Sequence, residues 1–142
     1  RKVYKKKLVN LVERYNLNKK IKFVPHCKEM PLAYSLSDVV VSASIEPEAF
    51  GRISVEAQSM GKPIIASNIG GSKETIINKK TGLLYKYDDP RELAKNLNTV
   101  IQLSVDELKS MGNEGRKNIT KKFDVETMCQ SNLKEYKRLI KK

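Results

Sequence analysis

The sequence predicts an α/β domain built on a parallel sheet, and three observations carry that expectation. Val39-Val40-Val41 is a β-branched run that ends in small residues, and Ile64-Ile65-Ala66 is a second short apolar run. Uninterrupted apolar strands of this kind belong to sheets covered on both faces. Between them Phe50, Ile53, Ala57 and Met60 recur at helical spacing, which predicts a helix opening near Phe50 with those four as its apolar stripe. Gly61 and Pro63 then stand where a helix ends. Strand, loop, helix, turn and strand make a βαβ unit, whose two strands run parallel.

The remaining elements follow in order. Lys2 to Tyr15 carries Val3, Tyr4, Leu8, Leu11, Val12 and Tyr15 on one side and Lys on the other, an amphipathic helix ended by Asn16 to Asn18. Ile21-Lys22-Phe23-Val24 reads as a strand closed by Pro25, with the loop His26-Cys27-Lys28-Glu29 at its carboxyl end and a short helix near Pro31 to Leu36. Gly70-Gly71-Ser72 precedes a short helical run ending near Ile77. Two glycines there form either a backbone nest for an anion or a sharp turn, and both readings stay open. Thr81-Gly82 leads into the strand Leu83-Leu84-Tyr85. Asp89 and Pro90 are a cap acid and a first-turn proline for a helix to about Leu103. Ser104 and Glu107 form a capping box for a helix through Met111, Gly115 and Ile119, broken at Phe123-Asp124. A last helix, about Val125 to Lys141, carries Met128, Leu133, Tyr136 and Ile140. The expected organisation is a single domain, residues 1–103 forming the α/β core and 104–142 the C-terminal helices.

Composition narrows the function classes. A length of 142 residues suits one core, and no apolar run approaches the ~18 residues a membrane span needs. Cys27 and Cys129 give neither a metal spacing nor a disulfide framework, which sets a reducing, cytoplasmic location as the expectation. The net charge of +12 rests on 28 basic residues, 22 of them lysines scattered along the chain. Nucleic-acid readers cluster Arg with aromatics, whereas aromatics here are 6% and Trp is absent, so no nucleic-acid partner is expected. A basic surface suits a phosphate-bearing ligand, or peripheral contact with an anionic membrane at its inner face. No Asp-x-Asp or His cluster occurs, and no metal site is expected.

Ligands of open parallel sheets bind outside the carboxyl ends of the strands, where helix N-termini aim free N–H groups. Glu48 lies in that loop, and Glu56 lies about two turns into the following helix on the side of Arg52 and Phe50-Gly51. The pair can grip a polyhydroxylated ligand at two points about 10 Å apart. On spacing alone the plainer reading is favoured: Glu48 complements the helix dipole and Glu56 is solvated.

Taken as a string, Glu48-Ala49-Phe50-Gly51-Arg52-Ile53-Ser54-Val55-Glu56-Ala57, followed by Gly61-Lys62-Pro63-Ile64-Ile65-Ala66, resembles the signature of the retaining GT-B glycosyltransferases of family 4. Gly70-Gly71-Ser72-Lys73-Glu74 is similar to that family's Gly-Gly-x-x-Glu loop, and Thr81-Gly82-Leu83-Leu84 to its Thr-Gly-x-Leu strand entry. The resemblance covers nearly the whole chain and thins after Leu103. It implies a Rossmann-like parallel sheet with flanking helices, the donor-binding C-terminal domain of the GT-B fold. It implies transfer of a hexosyl unit from a nucleoside diphosphate sugar to an acceptor hydroxyl with retention, without a further cofactor, in cell-envelope polysaccharide synthesis. By the same resemblance Glu56 holds the ribose hydroxyls, and Glu48 holds hydroxyls of the transferred sugar and is the catalytic candidate. Ala49, Phe50, Gly51 and Arg52 face the diphosphate or sugar, Gly70 and Gly71 face the cleft, and the loop at His26 lies against the base.

Departures from the pattern set further expectations. The family's Gly-Arg and Lys-Gly segment, whose cations neutralise the diphosphate, has no counterpart before Lys2, and the chain opens with Arg1 instead of Met. A domain without its first two strands is therefore expected, with an acceptor domain supplied elsewhere in the parent protein or by a separate chain. Taken alone, such a chain is expected to be loosely folded and inactive. Two other readings remain: a non-catalytic donor-binding remnant or one part of a split enzyme, and an adaptor for anionic surfaces driven by charge alone.

Overall fold

The computed structural model describes residues 2–140, and a three-stranded parallel sheet lies at its centre. Strands β1 (Val40–Ser42), β2 (Ile64–Ser67) and β3 (Gly82–Tyr85) stand in that order, Val40 opposite Ile64 and Ile64 opposite Gly82. The middle strand β2 is buried at every residue, so it gains nothing from polar alternation and shows none. The helices are α1 (Lys2–Arg14), α2 (Met30–Ser35), α3 (Arg52–Ser59), α4 (Ser72–Thr75), α5 (Pro90–Ile101), α6 (Val105–Lys122) and α7 (Val125–Ile140). The expected end of the last helix, Lys141, lies outside the described residues. With α3 joining β1 to β2 and α4 joining β2 to β3, the expected α/β class holds.

Each face of the sheet has its own apolar layer. Ile64 and Ala66 pack with Tyr34 of α2, Ala57 of α3 and Ile76, and with the partly buried Val40 and Leu84. On the other face Ile65, Leu83 and Tyr85 meet Val100, Leu93 and Leu97 of α5 and Leu108 of α6. The alternation of Ile64 and Ala66 against Ile65 follows from strand geometry, in which successive side chains point to opposite faces. Leu84 of β3 finds its remaining partners in side chains: Asn78 Oδ1 accepts from its N–H and Asn96 Nδ2 donates to its carbonyl. The local signals behave as read. Asp89 accepts from the amides of Arg91 and Glu92, and Ser104 and Glu107 form a reciprocal capping box.

Two expectations need correction. First, α3 begins at Arg52 with Gly51 as its N-cap, and its buried residues are Ser54, Ala57 and Gln58. Phe50, Ile53 and Met60, placed on the apolar stripe by their spacing, are 46%, 38% and 37% exposed. The reason is the neighbour: α3 packs against α4 and α6 through hydrogen-bonded polar groups. Gln58 Nε2 donates to the carbonyls of Ser54 and Thr75, and Asn118 Nδ2 of α6 donates to the same Thr75 carbonyl. Asn118 is buried there, so the Asn118-Ile119-Thr120 triplet, which fits a glycosylation sequon, offers no accessible amide.

Second, Ile21–Val24 is not a strand; Ile21, Phe23 and Val24 are exposed and belong to no ladder. A strand exists only through its neighbour, and no strand pairs with this segment among the described residues. Ile21 and Phe23 instead line a shallow apolar groove with Leu8, Leu11, Val12, Tyr15 and Leu17. The last helix is present as expected, but α7 buries none of its residues, so Met128, Leu133, Tyr136 and Ile140 form a stripe that the domain itself does not cover. No helix among the described residues is long and apolar enough to cross a membrane.

The approach of α6 to α3 depends on two glycines. A methyl group on Gly112 would fall on the Gly61 carbonyl, within 2.7 Å of its carbon, where only backbone could give way. One on Gly115 would stand 3.0 Å from Gln58 Cγ, a side chain that can shift. Gly112→Ala should therefore lower unfolding free energy by about 1–3 kcal/mol. Gly115→Ala should come out near neutral, because the gain of about 1 kcal/mol from replacing a helical glycine offsets the crowding. Thermal or urea melts of the two variants side by side check the difference; equal effects would mean that α6 does not sit this close.

Candidate functional site

The carboxyl ends of the three strands are tied together by hydroxyl groups. Ser67 Oγ donates to Tyr85 Oη at 3.1 Å and reaches the Ser42 carbonyl at 3.5 Å, and all three residues are buried. Beyond this layer run two loops, 43–51 after β1 and 68–71 after β2. The Gly71 amide donates to the Glu48 carbonyl at 2.8 Å and joins them.

Such close contact explains the two glycines. Gly70 has φ +54°, and a Cβ there would overlap the Glu48 carbonyl and lie 2.8 Å from its amide nitrogen. A Cβ on Gly71 would fall on the Phe50 carbonyl, 2.7 Å from Phe50 Cα. Of the two readings of Gly70-Gly71, anion nest or sharp turn, neither captures this: the residues are bare because two backbones touch.

Glu48 is exposed on that loop, with Ser44 Oγ donating to its Oε1. Ser44 stands four residues ahead of Glu48 and holds one carboxylate oxygen while the other keeps its acceptor capacity. Ala49 is exposed beside it. Phe50 sets its ring edge-on to Phe123, centroids 5.8 Å apart at 63°, so its side chain braces the loop against the end of α6. Gly51 follows at φ +73°, a left-handed conformation that suits glycine, and starts α3 without any side-chain cap. The first amides of a helix lack intrahelical acceptors and carry its positive dipole end, so this terminus suits an anion.

Glu56 sits two turns into α3 and is held from both sides. Arg52 Nη2 lies 3.0 Å from Oε1 and Arg52 Nε 3.3 Å from the same oxygen, the i, i+4 pair that helix spacing predicts. On the other side Tyr34 Oη donates to Oε2 at 2.8 Å. Burial, then the hydrogen bond to Glu56, push the Tyr34 phenol up to about 12, so it is a donor throughout the neutral range. An ionised carboxylate offers about four acceptor sites, and these three bonds leave one of them on Oε2, so accepting from both hydroxyls of a diol requires Arg52 to give up Oε1.

The structure thus gathers Glu48, Ala49, Phe50, Gly51, Arg52, Glu56, Gly70 and Gly71 around the strand ends. His26 is not joined to them: it is exposed in the extended segment before α2 and shares no hydrogen bond or ion pair with them among the described residues. Sequence reasoning missed Tyr34 and Ser44.

Residues 1–118 match the family described as Glycosyl transferases group 1. Spore coat protein SA of Bacillus subtilis is 30% identical over 112 residues, 78% of this chain and 29% of its own length. A glycosyltransferase crystal structure from Rickettsia africae superposes at a TM-score of 0.90 with 34% identity, over 97% of this chain and 37% of that one. Anabaena HepE in complex with UDP gives a TM-score of 0.90 with 28% identity, over 96% of this chain and 37% of that one. The chain spans about a third of the length of these proteins. With that match running from the first residue through most of α6, the chain belongs to the group 1 glycosyl transferases.

Proposed function

We propose that this domain binds a nucleoside diphosphate sugar and that the complete protein transfers the hexosyl group to an acceptor hydroxyl with retention. The observation that carries the reading is one arrangement: two glutamates flank a helix start that has no side-chain cap, at the carboxyl ends of a parallel sheet. Each feature suits one part of such a donor. Glu56 accepts from the ribose diol, Glu48 accepts from hydroxyls of the sugar, and the α3 amides with Arg52 face the diphosphate between them. HepE, similar over 96% of this chain, is solved in complex with UDP, which supports a nucleotide as the ligand class.

Transfer breaks the bond between the anomeric carbon and the diphosphate oxygen and forms one to the acceptor oxygen on the same face, while the acceptor's hydroxyl proton passes to the departing diphosphate. Negative charge grows on the departing diphosphate, and fixed dipoles aimed at that position lower the barrier without reorganising. In this reading the α3 terminus and Arg52 supply part of that stabilisation without a metal ion, and cations from elsewhere in the complete protein supply the rest. Glu48 steadies the sugar while positive charge develops at its anomeric carbon. A nucleotide-sugar donor fits a cytoplasmic setting, and the net charge of +12 fits peripheral contact with an anionic membrane. For the chain by itself we propose binding of the donor without transfer, because no residue here is assigned to the acceptor.

Glu56→Gln should weaken nucleoside diphosphate binding, since each hydrogen bond to a charged group contributes about 1.5–3 kcal/mol. Calorimetric titration with UDP, GDP and ADP reads this directly, and unchanged dissociation constants would sink the ribose role. Glu48→Gln in the complete protein should instead depress turnover while affinity for the bare nucleoside diphosphate holds. Because the carbonyl of residue 48, not its side chain, receives the Gly71 amide, the loop contact survives this change. Equal loss of turnover and of affinity would mark Glu48 as a structural acid.

A further inference from the structure

We infer that Tyr34 is a positioning residue for nucleotide recognition: its hydroxyl holds the Glu56 carboxylate in the orientation that accepts a ribose diol. The inference rests on the reading of Glu56 given above and adds a residue to it.

The aromatic ring belongs to the core. Tyr34 is 5% exposed and packs with Ala57, Ile64, Ala66 and Ile76 against one face of the sheet. The end of its short helix is fastened twice more, by Ser37 Oγ donating to the Tyr34 carbonyl at 2.8 Å and by Lys62 Nζ donating to the Ser35 carbonyl at 2.9 Å. The hydroxyl is therefore a fixed point. Glu56 is the adjustable partner, with a side chain 34% exposed, and its other neighbour Arg52 is 84% exposed. An exposed arginine moves with the carboxylate it touches and fixes nothing. A hydroxyl anchored in the core does fix it, and removes rotamer freedom that a ligand would otherwise have to remove.

Packing alone does not account for the hydroxyl. Phenylalanine would fill the same space among Ala57, Ile64 and Ala66, and only the 2.8 Å bond to Oε2 would be lost. The hydroxyl is the donor of this bond, because a carboxylate oxygen can only accept, and a phenol keeps its proton across the neutral range. That donor leaves Glu56 as acceptor, and its remaining lone pair, with those Arg52 gives up, serves hydroxyl donors such as the 2′ and 3′ groups of ribose.

The test compares each of UDP, GDP and ADP with its 2′,3′-dideoxy form, titrated into the full chain and its Tyr34→Phe and Glu56→Gln variants. Wild type should prefer the ribonucleotide. Tyr34→Phe should narrow that preference by about three- to tenfold while affinity for the dideoxy form stays put. Glu56→Gln should abolish it. A Tyr34→Phe variant that keeps the full preference, or weakens both forms alike, overturns the positioning role and leaves the Glu56 reading standing. A Glu56→Gln variant that keeps the preference, or a wild type that binds none of the nucleotides, overturns both. Alkaline absorbance titration gives a second readout independent of ligand: the tyrosinate step near pH 12 should vanish in Tyr34→Phe and move down in Glu56→Gln. A step unmoved in Glu56→Gln would show that the bond does not form.

Discussion

The hydrogen bond from the Gly71 amide to the Glu48 carbonyl constrains everything around the site. It draws the β1 and β2 loops so close that neither Gly70 nor Gly71 has room for a side chain. With the second loop seated on the first, Pro47 to Phe50 has one path, and Gly51 must turn the chain through a left-handed conformation to begin α3. The positions of Glu48 and of the α3 amides follow from that path. Glu56 then follows from Arg52 by helix geometry alone. Under the proposed function, a glycine pair that contacts backbone would still serve the site, because it holds the loop that carries Glu48.

Below the site, α3 rests on amides and hydroxyls more than on hydrocarbon. Ser54, Gln58, Thr75 and Asn118 are buried together; the amides of Gln58 and Asn118 converge on the Ser54 and Thr75 carbonyls, and Thr75 Oγ1 donates to the Gly71 carbonyl. Buried polar groups are costly unless paired, and paired they fix one geometry more tightly than interchangeable apolar contacts do. Gln58 Oε1 remains without a partner among the described residues, at the point where Gly115 of α6 comes closest. That interface sets the roll of α3 about its own axis, and with it the direction in which Glu56 leaves the helix.

What could be read from the sequence divides along the range of the forces involved. Caps and turns are local: Asp89 before Pro90, and Ser104 with Glu107, lie within three residues of what they bond, and both were legible. The buried strand Ile64–Ser67 was legible because full burial forces a continuous apolar run. The inner face of α3 was not, because hydrophobic periodicity weighs residue type, whereas the surface it meets is made of glycines and a buried amide network. Ile21–Val24 has the composition of a strand, and composition says nothing of whether a neighbour is there to pair with it. At the site, the motif from Glu48 to Glu56 marked the residues that gather, while Tyr34 lies 22 positions from its partner and left no local trace of the bond. His26 entered through resemblance, and it is exposed without a hydrogen bond or ion pair to the cluster among the described residues.

The two groups that hold Glu56 differ in how readily they let go. The Arg52 pair is an exposed i, i+4 contact, the kind worth at most about 0.5 kcal/mol and weakened further by salt. Moving Arg52 away from Glu56 therefore costs little, and a diphosphate lying at the α3 terminus would offer it a denser anion. Tyr34 cannot leave in the same way, because its ring is locked in the core and its hydroxyl would lose its one partner while nearly buried. A carboxylate flanked by one mobile cation and one immobile neutral donor keeps its orientation while its countercharge moves. A salt bridge on each side would give up both at once; under the proposed function, the order of these two partners around one glutamate would let a single helix start serve a ribose and a diphosphate together.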